Sequence, residues 1–176
     1  MMNAQQEGTE MAEESTLDAL ARGMMGEMDS ITTYEEAAAR SEGDVKEFFL
    51  RRAREEKNHY NWLLEYYRAL STGALLPGTA AGRGESLPEF RPRVTPELLK
   101  AVGGSPFLSA AVSSAVLLEL DAMKNYRHRA EKADRPEVKA LFDELSRWEQ
   151  DHYDILVEIQ AGSRAYWFDS LDFQPL

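Results

Sequence analysis

Apolar residues recur along this chain at steps of three, four and seven, the signature of amphipathic helices with one buried stripe. Four long segments carry that period. The first spans 16–40, with Leu17, Leu20, Met24, Ile31, Tyr34 and Ala38 on one face. The second spans 44–70 and opens with Asp44 and Glu47 in a capping-box arrangement. The third starts at Ser105-Pro106, an N-cap followed by proline in the first turn, and runs to 132. The fourth follows Asp134-Arg135-Pro136 and runs to 161. The pattern predicts an all-α fold, a four-helix bundle within 15–162.

Between the second and third helices lies a connection, 71–104, that holds Pro77, Pro88, Pro92 and Pro96. Its 34 residues far exceed the usual link between neighbouring bundle helices. Such a length suits a crossover from one end of the bundle to the other, with helices two and three parallel. Residues 1–14 are polar and acidic and read as a disordered tail. Residues 163–176 hold Tyr166, Trp167, Phe168 and Phe173, and are expected to pack as a short segment on the bundle.

The chain also repeats itself. At an offset of 93, Asp44–Tyr60 aligns with Glu137–Tyr153, so that Val45, Lys46, Phe49, Arg54, Glu56, His59 and Tyr60 meet Val138, Lys139, Phe142, Arg147, Glu149, His152 and Tyr153. At an offset of 92, Glu27 meets Glu119 and Tyr34 meets Tyr126. Each half is therefore one helical hairpin, 16–70 and 105–161, related to the other by a pseudo-twofold axis.

The buried stripes contain charge. The first reads Leu20, Met24, Glu27, Ile31, Tyr34, and the second Val45, Phe49, Arg52, Glu56, His59, Leu63, Tyr66. The third reads Leu108, Val112, Ala115, Glu119, Ala122, Tyr126, and the fourth Val138, Phe142, Leu145, Glu149, His152, Leu156, Ile159. Four buried carboxylates would cost several kcal/mol each without compensation. Two divalent cations supply it. Glu-x-x-His places both side chains on one helix face, so each pair can reach a single ion. The candidate ligands are Glu27, Glu56, His59, Glu119, Glu149 and His152. Oxygen and imidazole ligands without sulfur suit iron or manganese.

Other residues have competing readings. Tyr34 and Tyr126 lie seven residues after a candidate glutamate, either as core packing or as hydroxyls bonded to a ligand carboxylate. Arg52 breaks the repeat, because Leu145 holds the equivalent place. Its guanidinium either snorkels to solvent or acts near the site. His128 lacks a partner glutamate and reads as a surface residue, while Trp62, Trp148 and Trp167 read as packing residues.

Composition narrows the function. The 176 residues are 43% hydrophobic and 29% charged, with 31 acidic against 20 basic side chains and a net charge of −11. That balance argues against nucleic acid and anionic membranes as partners. No run apolar enough to span a bilayer is expected, nor a signal peptide at the start, which points to the cytoplasm. The chain has no cysteine, which removes disulfides, thiolate metal sites and cysteine nucleophiles.

Gly26-Glu27…Tyr34, Glu56-Lys57-Asn58-His59, Leu118-Glu119-Leu120-Asp121-Ala122…Tyr126 and Glu149-Gln150-Asp151-His152 resemble the rubrerythrin branch of the ferritin-like superfamily. The resemblance covers about 16–161. It implies a ferritin-like bundle with a non-haem di-iron centre that reduces hydrogen peroxide or activates dioxygen, in a homodimer. It also implies Glu56 and Glu149 as bridges, Glu27 and Glu119 as terminal ligands, and one histidine per iron. Two features depart from it. Without cysteines there is no rubredoxin domain in this chain, so electrons would come from a separate donor such as a rubredoxin-type protein. An extra glutamate that rubrerythrins carry one turn after the third-helix ligand is Ala122 here. Two alternatives stand beside the oxidoreductase: a ferroxidase or iron-storage protein, and a non-catalytic, metal-stabilised binding module.

Overall fold

A computed structural model describes residues 15–78 and 93–170. The expected tail 1–14, the middle of the crossover and residues 171–176 lie outside the described residues. The all-α bundle is as anticipated, and the described residues form five helices: α1 Thr16–Ala39, α2 Gly43–Thr72, α3 Pro96–Gly104, α4 Pro106–Lys132 and α5 Pro136–Ser170.

Local chemistry sets most of the helix ends. The Ser15 hydroxyl accepts from the Asp18 amide at 3.2 Å and starts α1. Ser105 does the same for α4 through the Leu108 amide, with Pro106 in the first turn. The start of α2 differs from expectation. Its N-cap is Glu42, which makes no side-chain capping bond, in place of an Asp44–Glu47 box. The backbone of Gly43 takes φ +55° and turns the chain into the helix one residue early. Gly73, at φ +68°, ends α2 in the left-handed conformation, and the Ala74 amide then returns to the Ala69 carbonyl at 2.9 Å.

Helices α1 and α2 form one hairpin and α4 and α5 the other, with α1 packed on α4. The Tyr34 hydroxyl reaches Glu119 and the Tyr126 hydroxyl reaches Glu27, so α1 and α4 run antiparallel. His59 meets Glu149 and His152 meets Glu56, so α2 and α5 are antiparallel as well. Consequently α2 and α4 run parallel, and the chain between them must climb the length of the bundle.

That crossover contains an element the periodicity did not predict. In α3 the Thr95 hydroxyl accepts from the Leu98 amide and Pro96 fills the first turn, the same cap as at α4. The helix buries Leu98 and Val102 and lies against α5. A second difference is the length of α5, which continues as helix through 163–170 where a separate segment was expected. Ser163 is buried there, whereas Trp167 and Phe168 are 44% and 43% exposed. A third concerns α4. By length and composition it is apolar enough to cross a membrane, contrary to the sequence reading, although Glu119 sits buried near its middle.

The apolar interior falls into two clusters. One gathers Leu20, Leu63, Tyr66, Tyr126, Phe142 and Leu145. The other gathers Tyr34, Phe49, Val112, Ala115, Leu156 and Ile159. Between them lies a layer of buried polar residues.

The α3–α5 seam is close enough to require glycine. A Cβ on Gly103 would lie 2.7 Å from the Ser163 carbonyl oxygen, a backbone atom that cannot step aside cheaply, whereas one on Gly104 meets nothing within 4 Å. Gly103→Ala is therefore expected to destabilise the fold by about 1–3 kcal/mol, while Gly104→Ala leaves it unchanged or slightly stabilised. Thermal melting of the two variants checks this, and equal melting temperatures would refute the close approach.

Candidate metal centre

The polar layer is built from the four long helices. Helix α1 supplies Glu27, α2 supplies Glu56 and His59, α4 supplies Glu119, and α5 supplies Glu149 and His152. The structure brings all six predicted side chains together, and none is more than 6% exposed. They form two groups whose candidate ligand atoms lie within 4.8 Å of one another: Glu27, Glu56, His59 and Glu149 in one, Glu56, Glu119, Glu149 and His152 in the other. Glu56 and Glu149 belong to both.

The distances follow the pseudo-twofold axis. Nδ1 of His59 is 2.9 Å from Glu149, 3.0 Å from Glu56 and 3.7 Å from Glu27. Nδ1 of His152 is 2.8 Å from Glu56, 3.4 Å from Glu149 and 3.9 Å from Glu119. These approaches are close but lack hydrogen-bond geometry. Both oxygens of Glu56 and of Glu149, Oε2 of Glu119, and Nδ1 of both histidines have no hydrogen-bond partner. Buried polar atoms are ordinarily satisfied, so a converging set of orphans needs an explanation. Four carboxylates and two imidazole nitrogens, all aimed inward, fit one pair of divalent cations.

The two tyrosines tie down the carboxylates that belong to a single group. Tyr34 donates to Glu119 Oε1 and Tyr126 donates to Glu27 Oε1. The bonds cross between helices, although the sequence pairs each tyrosine with the glutamate on its own helix. Burial, with the nearby carboxylate charges, pushes both phenols well above their ordinary range, so they remain donors. Gly23 makes room for one of these bonds, since a Cβ there would lie 3.1 Å from the Tyr126 hydroxyl.

Proximity distributes protons unevenly among the six groups. Burial, then the Glu149 charge, lifts Glu27 to about 8. Burial, then the Glu56 and Glu149 charges, lifts Glu119 well above the carboxylate range. Burial opposes ionisation of Glu56 too, but the His152 charge, with that of His59, holds it down to about 2. For Glu149 the His59 charge likewise overcomes burial and keeps it well below its usual value. Burial disfavours the charged histidines, yet the shared carboxylates raise His59 well above its ordinary value and His152 to about 9.

Other predicted positions are resolved less evenly. Arg52 does not snorkel: it is 3% exposed, and its Nη2 lies 2.6 Å from Glu55 Oε2. His128 is exposed, as expected. Trp62 and Trp148 do more than fill space, because both stack on the His59 ring, at 5.6 and 5.2 Å. Glu55 is the residue that sequence reasoning missed. It lies beside Glu56 and off the buried stripe, yet its Oε2 is 3.6 Å from His152 Nε2. The available signal was its mismatch in the repeat, where Trp148 occupies the same register.

The sequence profile of the rubrerythrin family matches residues 18–104 and 107–164, nearly the whole bundle. The chain belongs to the rubrerythrin family. Comparison with curated proteins and with solved structures returns no match. Rubrerythrins are generally di-iron proteins, and the buried glutamate–histidine cluster of this member fits a carboxylate-held metal pair.

Three outcomes follow from this arrangement. Between about pH 6.5 and 8, folded Glu27 and His152 hold protons that the unfolded chain releases. The folded state therefore binds more protons there, and its stability falls as pH rises. Urea midpoints at successive pH values across that window should decline, and a rising midpoint would contradict the arrangement. Because ions displace these protons, divalent-metal affinity should climb over the same window. Separately, Tyr126→Phe should destabilise the fold by about 1–3 kcal/mol, since Glu27 loses its buried donor.

Proposed function

We propose that this chain is a non-haem di-iron oxidoreductase that reduces hydrogen peroxide, with electrons from a separate donor protein or small reductant. The observation that carries the reading is the pair of four-residue groups sharing Glu56 and Glu149, buried between two apolar clusters. Its membership of the rubrerythrin family supports it. Two divalent iron ions held there would supply the two electrons that split a peroxide O–O bond. Reduction to two waters also consumes two protons.

The protein's own contribution is positional. Glu56 and Glu149 belong to both groups and would be shared by the two metals, while Glu27 and Glu119 would each serve one. Tyr34 and Tyr126 hold Glu119 and Glu27 in place through one oxygen and leave the other pointed inward. Each phenol keeps its proton on that bond, next to the reacting volume. The apolar clusters on either side exclude bulk water, which strengthens every charge interaction inside.

Anaerobic loading with ferrous iron, followed by rapid mixing with peroxide, tests the reading. Two irons per chain in a small assembly, oxidised within the mixing experiment, is the expected result. Glu56→Ala and Glu149→Ala should each reduce peroxide turnover to background. Full turnover in either variant would refute the assignment. Many irons per chain inside a large shell would replace it with iron storage, and rapid oxidation by dioxygen but not by peroxide would replace the substrate.

A further inference from the structure

The site is made from one hairpin used twice, and its halves differ in what lies behind each histidine. The 93-residue offset pairs Glu55 with Trp148, Arg52 with Leu145 and Trp62 with Ile155. Behind His152, Nε2 faces Glu55 Oε2 at 3.6 Å, and the same oxygen lies 2.6 Å from Arg52 Nη2. At the same register in the other half stands Trp148, whose ring stacks on the face of His59, with centroids 5.2 Å apart and planes within 6° of parallel, and an indole ring offers the imidazole no carboxylate acceptor. Trp62 adds a second indole, 5.6 Å from His59.

Packing does not account for the polar half. Arg52 is 3% exposed and Glu55 15% exposed, and burying such a pair costs more than burying the leucine that the repeat accepts at the same register. Neither Glu55 Oε2 nor Arg52 Nε completes a hydrogen bond of good geometry. The carboxylate thus retains capacity to accept one more proton donor. The donor beside it is Nε2–H of His152, the ring atom opposite the nitrogen that faces the ligand cluster.

A histidine that binds metal through one nitrogen gains basicity and a set orientation when a carboxylate accepts from the other. We propose that Glu55, held by Arg52, is a positioning residue for His152, and that it makes the metal position on the Glu119–His152 side tighter than the position on the Glu27–His59 side. The inference rests on the metal-centre reading above. It assigns the two ions unequal affinities in a site whose directly coordinating residues are symmetric.

The test is titration of Co(II) into the metal-free full-length chain, followed by calorimetry and visible absorption. The wild type should take two equivalents in resolved steps. Glu55→Gln, which keeps the side chain's size and removes its charge, should weaken the tighter step by about 10–100-fold and leave the weaker one unchanged. A second readout needs no variant. In the Zn(II)-loaded wild type, the Nε2–H proton of His152 should resonate downfield of that of His59, as expected for donation to a carboxylate. Two equal steps in both proteins, or no downfield proton on His152, would overturn this inference and leave the centre standing. No Co(II) uptake by the wild type would overturn the centre itself, and this inference with it.

Discussion

Everything in this molecule is organised around the cost of holding four carboxylates and two imidazoles in the middle of an apolar bundle. An ionised carboxylate taken out of water costs several kcal/mol unless a partner compensates it. Here the groups compensate one another only in part. Glu56 and Glu149 remain ionised against the two histidines, while Glu27 and Glu119 are driven toward their protonated forms. The protein therefore carries a layer whose remaining need is positive charge at two points, and the helices around it are arranged to keep that layer dry.

Apolar packing is divided accordingly. One cluster closes the layer on the side of Leu20, Leu63 and Phe142, and the other on the side of Phe49, Val112 and Leu156. The tyrosines belong to both worlds. Their rings are counted in the clusters, and their hydroxyls reach into the polar layer to bond the glutamate of the facing helix. Each such bond also ties α1 to α4, so the same contact that orients a carboxylate holds the two hairpins in register.

Duplication explains the symmetry of the ligand set, and departures from it mark where the halves have separate tasks. A duplicated hairpin gives each histidine the same facing pair of glutamates, at closely similar distances. Outside that shell the copies diverge: an ion pair, Arg52–Glu55, on one side and two indoles on the other. Ala122, one turn after Glu119, adds no ligand atom and keeps the inner set symmetric. Asymmetry in this protein therefore resides behind the ligands rather than among them.

Helical period and repeat were enough to identify the four long helices, the hairpin pairing and all six members of the polar layer. A charged residue inside an apolar stripe is visible in one dimension, because the stripe defines which face is buried. Cap chemistry at Ser105-Pro106 was legible for the same reason, since it involves only neighbours in sequence. Thr95-Pro96 carries the same local signal, but the surrounding prolines and glycines masked a helix of nine residues. What the chain alone did not determine depends on which residues of different helices share a level. The crossed tyrosine bonds, the burial of Arg52 and the approach of Glu55 to His152 arise from the antiparallel packing of α1 on α4 and from α2 facing α5 across the polar layer. Periodicity specifies a face of one helix, whereas a contact between helices also needs their relative height and rotation. Those are decided only when the whole bundle packs.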